Sequence, residues 1–284
     1  MCLCLLLLFA LPTPSTRKSP SHLREKHPSF ASPPFAPLRL REKPASLPRN
    51  FLPPMTQPRI KIPFWKKWLS HITPITLETA QTEQNPELTV LLNRGRVQLL
   101  SSGAIYSWDD LYKNFLIAFD ALQIDERPIQ DVLLLGMGLG SVPFMLEKTF
   151  HCDYHYTAVE WDETVAALAF KYTLSRMESP VDLLTADAEV FVQICSEQYD
   201  LLIVDIFEDD LTPPQFCTED FLHDCRELLR PGGLLLFNRL HGGDVSVHSM
   251  TERYFVQTFK KVFPEGWYID TKGNWILCGE VPSD

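Results

Sequence analysis

The sequence has no cysteine pair spaced C-x-x-C and no cluster of cysteine and histidine, although it contains seven cysteines among 284 residues. It therefore does not indicate the zinc folds and redox folds that need such pairs, and we expect a reduced chain without structural zinc. His151 and His155 are four residues apart, but their segment is predicted to be a strand, on which residues four apart lie about 13 Å from each other and do not share an ion. We therefore expect no metal ion as a cofactor.

The sequence also has no apolar run long enough to cross a bilayer. The run in MCLCLLLLFALP, residues 1–12, has about ten apolar residues, whereas a spanning helix needs about 20. Its length suits a secretory signal, but it has neither a basic segment before it nor an A-x-A cleavage site. We expect a cytoplasmic protein with no membrane partner. A secreted form is the alternative if residues 1–12 act as a signal.

Residues 1–54 differ in composition from the rest of the chain. They carry 11 of the 23 prolines, eight Lys or Arg and only two Asp or Glu. Such a segment cannot bury enough apolar surface to offset its chain entropy, so we expect a disordered leader. Because a more ordinary sequence begins at Met55, we also hypothesise that translation starts there and that the leader is not translated.

The rest of the chain is strongly acidic. Since the whole chain has a net charge of −10 and residues 1–54 contribute +6, residues 55–284 carry −16. An acidic surface repels nucleic acid and fits a neutral or cationic substrate. We therefore expect no nucleic-acid partner.

Residues 55–108 are predicted to form a small N-terminal β-domain. The segment has four short runs with strand character, ITLETAQT, ELTVLLNR, RVQLLSS and AIYSW, and a turn at 93–95 supports a hairpin. A helix follows, and the spacing of Ser107 and Asp110 predicts a capping box at its start. Its apolar stripe comprises Tyr112, Phe115, Leu116, Phe119 and Leu122.

From Asp131 on, predicted strands and helices alternate. The strands fall at 131–135, 154–159, 182–186, 200–204 and 234–238, and the helices between them at about 141–150, 162–176, 188–196 and 217–229. This alternation is typical of a parallel sheet with helical crossovers. A helix at 249–262 and two strands around a turn at 272–274 then end the domain in an antiparallel hairpin. A dinucleotide-binding sheet continues with parallel strands, whereas a methyltransferase-type sheet ends with a reversed strand. Residues 109–284 are therefore predicted to form a class I methyltransferase-type (Rossmann-like) α/β domain.

Three features at the ends of these strands predict a nucleoside cofactor. The first strand ends in a G-x-G-x-G loop of Gly136, Gly138 and Gly140, whereas a dinucleotide loop would place its third glycine at 141. Glu160 ends the second strand, where a carboxylate accepts hydrogen bonds from both ribose hydroxyls, and Asp187 follows the third, where a carboxylate meets the adenine amino group. Each feature alone has a structural alternative: a turn for the glycines, and a helix cap or a solvated charge for the acids.

Asp205 ends the fourth predicted strand beside the glycine loop. Ligands of open α/β sheets lie outside the carboxyl ends of the strands, and a carboxylate there can accept a proton from an attacking amine. A purely structural acid is the alternative.

Several motifs over about residues 75–280 resemble the spermidine synthase family: the glycine loop, VEWD, ADAEVF, YDLLIVD, TPPQFCTEDFL and LRPGGLLLFN. The resemblance implies a donor that is S-adenosylmethionine or its decarboxylated form, a small acceptor of the cationic amine type, and a homodimer formed through the N-terminal sheet. It also implies that Asp205 assists deprotonation of the amine, that Glu208 holds the cationic acceptor and that Tyr112 lines the substrate site, although Tyr112 equally suits the core.

The sequence departs from the family at three places. The family aspartate that holds the amino group of the decarboxylated donor is Leu139 here, the family's D-S-S-D becomes Asp205-Ile206-Phe207-Glu208, and a common glutamine is Lys113, which would repel a cation if it pointed inward. Two functions therefore stay open. One is a methyl- or aminopropyltransferase, and the other is a catalytically degenerate nucleoside-binding or interaction module of the same fold.

Overall fold

The computed structural model describes residues 60–83, 85–101, 104–208, 211–242 and 245–283, so the predicted leader, residues 1–54, lies outside the described residues. The α-helices are α1 (Phe64–Leu69), α2 (Lys113–Leu122), α3 (Ser141–Lys148), α4 (Glu163–Tyr172), α5 (Ala188–Ile194), α6 (Glu219–Glu227), α7 (Val245–Tyr254) and α8 (Lys260–Val262). The strands are β1 (Ile75–Ala80), β2 (Leu88–Asn93), β3 (Arg96–Ser101), β4 (Ala104–Trp108), β5 (Asp131–Leu135), β6 (His155–Glu160), β7 (Val181–Thr185), β8 (Tyr199–Val204), β9 (Leu229–Leu240), β10 (Trp267–Asp270) and β11 (Asn274–Glu280).

The first four strands form an antiparallel sheet in the order β1-β2-β3-β4. Asn93 pairs with Arg96 across a two-residue turn. Arg94 and Gly95 both have positive φ, 52° and 74°, which is the backbone of a tight hairpin whose twist matches that of the strands. The predicted N-terminal sheet and its hairpin are therefore confirmed.

The other seven strands form one sheet in the order β10-β11-β9-β8-β5-β6-β7. The strands β5 to β9 run parallel, and β11 runs antiparallel to both β9 and β10. This reversal at the end of a parallel sheet confirms the predicted methyltransferase-type α/β fold. The segment predicted as a single helix at 249–262 is α7, which begins earlier, then a π-helical turn at Phe255–Phe259, and α8.

Apolar layers cover both faces of the large sheet. Val132 and Leu134 of β5 belong to one core, which includes residues of the small sheet, α2, α3 and α4, while Leu133 and Leu135 belong to the opposite core with α5 and α6. A strand buried on both faces has no polar side to show, which explains its continuous apolar sequence. Within the described residues, no helix combines the length and apolar character needed to cross a membrane.

The predicted capping box of Ser107 and Asp110 is wrong. Ser107 pairs with β3 as part of β4, and its hydroxyl hydrogen-bonds the hydroxyl of Ser141 at 2.7 Å. Asp110 instead pairs with Arg96. The helix α2 begins at Lys113 without a side-chain cap. Tertiary contacts with β3 and α3 thus override the local capping preference.

Candidate functional site

A cavity of about 750 Å³ lies at the carboxyl ends of the parallel strands, and residues of β4 together with Glu83 and Asn85 also line it. It brings together seven of the eight site residues predicted from the sequence, namely Tyr112, Gly136, Gly138, Glu160, Asp187, Asp205 and Glu208. The eighth, Gly140, does not line the cavity and precedes α3 as its N-cap residue, in a left-handed conformation.

The cavity is lined by acidic side chains without a basic partner. Among the described residues that line it there is no Lys, Arg or His. Asp162 is already engaged, since its carboxylate accepts hydrogen bonds from the Thr82 hydroxyl, the Asn85 amide and the first backbone N–H groups of α4. The cavity therefore attracts cations. Its acidic residues are Glu83, Glu160, Asp162, Asp187, Asp205 and Glu208.

The glycine loop passes close to Asp205. Gly136 has φ +87°, and a Cβ there would lie 2.3 Å from the backbone oxygen of Asp205, so no larger residue fits. Gly138 has φ +51°, and its N–H donates to Oε2 of Glu160 at 2.9 Å. The loop therefore holds Glu160 as well as forming the floor of the cavity.

The Glu160 carboxylate is held by backbone donors. Besides Gly138, the N–H of Asp162 donates to its Oε1 at 3.1 Å. Burial raises the pKa of Glu160, and these two hydrogen bonds partly offset the rise. Each carboxylate oxygen has a second lone pair, so both oxygens can still accept a hydrogen bond from a vicinal diol.

Asp187 caps α5, which is the structural role considered from the sequence. Its Oδ1 accepts the N–H groups of Glu189 at 2.7 Å and Val190 at 3.5 Å. Its Oδ2 accepts no hydrogen bond from the described residues, and the residue lines the cavity. The cap therefore fixes the carboxylate and leaves one oxygen for a ligand.

Asp205 is held by an amide and a phenol. Its Oδ1 accepts hydrogen bonds from Nδ2 of Asn238 at 2.8 Å and from the hydroxyl of Tyr112 at 3.4 Å. Nδ2 of Asn274 donates to Oδ1 of Asn238 at 2.8 Å, which fixes the direction of that amide. The Oδ2 of Asp205 accepts no hydrogen bond from the described residues.

Burial is the main cause that raises the pKa of Asp205 to about 7. The hydrogen bonds from Asn238 and Tyr112 oppose the rise, and the nearby negative charge of Glu160 adds to it. Burial, and then the charge of Asp205, raise the pKa of Tyr112 well above its ordinary value, so the phenol stays neutral and donates. A carboxyl group that titrates near neutrality suits a general base.

The residues that differ from the spermidine synthase motifs lie at different places relative to the cavity. Leu139 is 2% exposed and packs in the core, so it does not line the cavity. Lys113 is exposed and also lies outside the lining, so it does not repel a cation there. Ile206 and Phe207 do line the cavity and make its wall apolar beside Asp205.

Sequence reasoning missed Asn238, Asn274 and the side chains that β4 contributes, Ile105 and Tyr106. Asn238 is fully buried and follows an apolar run in β9. A buried amide needs partners, and this was the signal in the sequence. For Asn274 there was none, because its partner lies 36 residues away.

Comparison with known proteins finds aminopropyltransferases and a methyltransferase among the relatives. No protein-family model matches the chain. The chain is 27% identical over 158 residues to a polyamine aminopropyltransferase of Vibrio vulnificus (strain CMCP6), which covers 54% of this chain and 50% of that protein. It is 29% identical over 140 residues to an N-terminal histidine N-methyltransferase of Emericella nidulans, covering 47% and 23%. The chain thus spans about half the length, or less, of these relatives.

The fold is similar to that of a spermidine synthase solved in complex with the transition state analogue AdoDATO. The TM-score is 0.57 at 16% identity, over 74% of each chain. An identity this low shows the fold alone. Because the curated relatives include polyamine aminopropyltransferases, the predicted resemblance to the spermidine synthase family is confirmed for a divergent sequence.

The raised pKa of Asp205 predicts that the Asp205→Asn variant loses a pH dependence of stability. The pKa is about 7 in the folded chain and 3.8 without the fold. Between these values the folded chain keeps a proton that the unfolded chain has released, so the free energy of unfolding falls as pH rises, by up to about 1.4 kcal/mol per pH unit. Asparagine carries no such proton. Urea unfolding at several values between pH 4.5 and 7.5 on the wild type and the variant measures the difference in slope.

Asp120→Asn is the matched control, since Asp120 is exposed on α2. It is expected to keep the wild-type slope. An Asp205→Asn variant that also keeps that slope would show that Asp205 titrates as an ordinary carboxyl.

Proposed function

We propose that this chain is a transferase that moves an alkyl group from S-adenosylmethionine, or from its decarboxylated form, to a small amine. The observation that carries the proposal is the cavity itself. It combines acidic side chains, no basic side chain among the described lining residues, and an aspartate whose pKa is about 7. A sulfonium donor and an ammonium-bearing acceptor are the ligands that such a cavity attracts.

The nucleoside half of the donor is assigned to the ends of β5, β6 and β7. Glu160 accepts hydrogen bonds from the two ribose hydroxyls, and the free Oδ2 of Asp187 accepts one from the adenine amino group. The left-handed glycines at 136 and 138 let the backbone approach the ligand without a side chain between them. Each of these residues lines the same cavity, which supports a single bound molecule.

The charge of the cavity favours the decarboxylated donor. S-adenosylmethionine carries a carboxylate, which would meet acidic side chains and lose its water without gaining a cationic partner among the described lining residues. The decarboxylated form keeps the sulfonium and an ammonium group and has no carboxylate. The acceptor's ammonium groups are assigned to Glu208, which is exposed where it lines the cavity.

In the proposed reaction the lone pair of the acceptor nitrogen attacks a carbon bonded to the sulfonium sulfur. The C–S bond breaks, its electrons stay on sulfur, and the donor becomes a neutral thioether nucleoside. The positive charge moves to nitrogen, which releases a proton to Asp205. Because Asn238 and Tyr112 hold Oδ1 of Asp205, we assign Oδ2 as the oxygen that accepts the proton.

Methyl transfer is the second candidate, favoured by the similarity to a relative named as an N-methyltransferase. The same alignment of donor, acceptor and Asp205 serves either reaction. The two reactions leave different thioether nucleosides: methylthioadenosine follows aminopropyl transfer, and S-adenosylhomocysteine follows methyl transfer.

Glu160→Gln is expected to weaken the binding of methylthioadenosine about ten- to a hundredfold, because a charged acceptor of the ribose hydroxyls is replaced by an amide. Isothermal titration calorimetry measures the change. Glu163→Gln, an exposed position in the first turn of α4, is the matched control and should bind as the wild type does. Equal affinity of the Glu160→Gln and Glu163→Gln variants would remove Glu160 from the site.

Asp205→Asn is expected to lower turnover by roughly 10²–10⁴-fold, since the variant has no group to take the proton of the amine. The assay incubates protein with each donor and with putrescine or spermidine, and measures the two thioether nucleosides by mass spectrometry. Methylthioadenosine affinity should change little. If the wild type turns over neither donor, the noncatalytic module is favoured. If the variant turns over at the wild-type rate, Asp205 is a structural acid.

A further inference from the structure

Three side chains that play no part in the proposed reaction meet beside the end of β9. His241 directly follows β9, while His248 and Glu252 lie four residues apart on α7. That spacing places the latter two on one face of the helix, and this face is turned toward His241. The ligand atoms of the three side chains all lie within 4.8 Å of one another.

The distances within the cluster match those between ligands of one metal ion. Oε1 of Glu252 lies 3.7 Å from Nε2 of His241 and 3.4 Å from Nε2 of His248. Two ligand atoms on a tetrahedral zinc ion lie about 3.4 Å apart, given zinc–ligand distances of about 2.0–2.2 Å. The centroids of the two imidazole rings lie 3.5 Å apart, so the exposed His248 ring would turn outward for all three side chains to reach one ion.

His241 supplies an independent sign of a missing ligand. The residue is 8% exposed, and its Nε2 is buried without a hydrogen-bond partner in the described part of the chain. Such an atom is costly unless something else satisfies it. The ring cannot easily turn away, because it stacks on Trp275 at a centroid distance of 3.8 Å.

We propose that His241, His248 and Glu252 bind one divalent transition-metal ion of the zinc class. Two imidazole nitrogens and one carboxylate oxygen are a ligand set that zinc accepts, with a remaining position for water. A bound ion would tie α7 to the carboxyl end of β9, the strand that carries Asn238 and whose Leu240 lines the cavity. This departs from the expectation of no metal ion, which rested on the scattered cysteines and on the positions of His151 and His155.

The test uses the full chain, freed of metal with a chelator. Zinc is titrated in competition with a chromophoric chelator, and cobalt(II) is added separately to record its visible absorption. We expect one zinc ion to bind per chain through His241, His248 and Glu252. Bound cobalt(II) should show the visible absorption bands of a four- or five-coordinate site. His248→Ala and Glu252→Gln should each weaken this binding at least about tenfold. Both positions are exposed, so the variants are expected to fold.

His223→Ala is the matched control, because His223 is an exposed histidine on α6 outside the cluster. It should bind zinc and cobalt as the wild type does. Absence of zinc binding, or binding that His248→Ala and Glu252→Gln leave unchanged, would overturn the proposal. Cobalt bound with a strong thiolate charge-transfer band and no effect of these variants would assign the metal to cysteine instead.

Discussion

The close approach of Gly136 to the backbone of Asp205 is the contact on which the cavity depends. A Cβ at Gly136 would lie 2.3 Å from the Asp205 carbonyl oxygen, far inside van der Waals contact. The approach follows from the sheet, since β5 and β8 are parallel neighbours and the N–H of Asp205 bonds the carbonyl of Leu135. Because both strands end at one edge, the glycine loop and the carboxyl group of Asp205 come to lie side by side.

The buried carboxyl groups at the carboxyl ends of the parallel strands lower the stability of the fold and favour the binding of a cationic ligand. Asp205 and Glu160 both have pKa values raised mainly by burial, with no cationic side chain among the described lining residues. Hydrogen bonds from Asn238 and Tyr112 recover only part of that cost for Asp205. An unpaired buried carboxyl that the fold could have replaced with an apolar residue is typical of a functional site. A cationic ligand would supply the missing partner.

Local patterns predicted the elements well and long-range contacts poorly. The apolar strands, the left-handed hairpin turn and the acids at the strand ends follow from periodicity and from strand topology, which place them without knowledge of distant partners. The capping box at Ser107 failed because pairing with β3 extends β4 past it. Asn274 reaches the cavity through the pairing of β11 with β9, and the side chains of β4 reach it through the packing of the small sheet on the large domain. No local spacing encodes either contact. For Asn238 the sequence shows a polar residue that ends an apolar run, but it does not show the partner of that residue.

The central claim is that the cavity selects a cationic sulfonium nucleoside without a carboxylate. Calorimetric titration of the wild-type chain with decarboxylated S-adenosylmethionine and with S-adenosylmethionine tests it most directly, because the two ligands differ only in that carboxylate. The claim predicts at least about tenfold tighter binding of the decarboxylated donor, a difference of about 1.4 kcal/mol. Equal or tighter binding of S-adenosylmethionine would contradict it and would mean that backbone donors in the cavity hold the carboxylate.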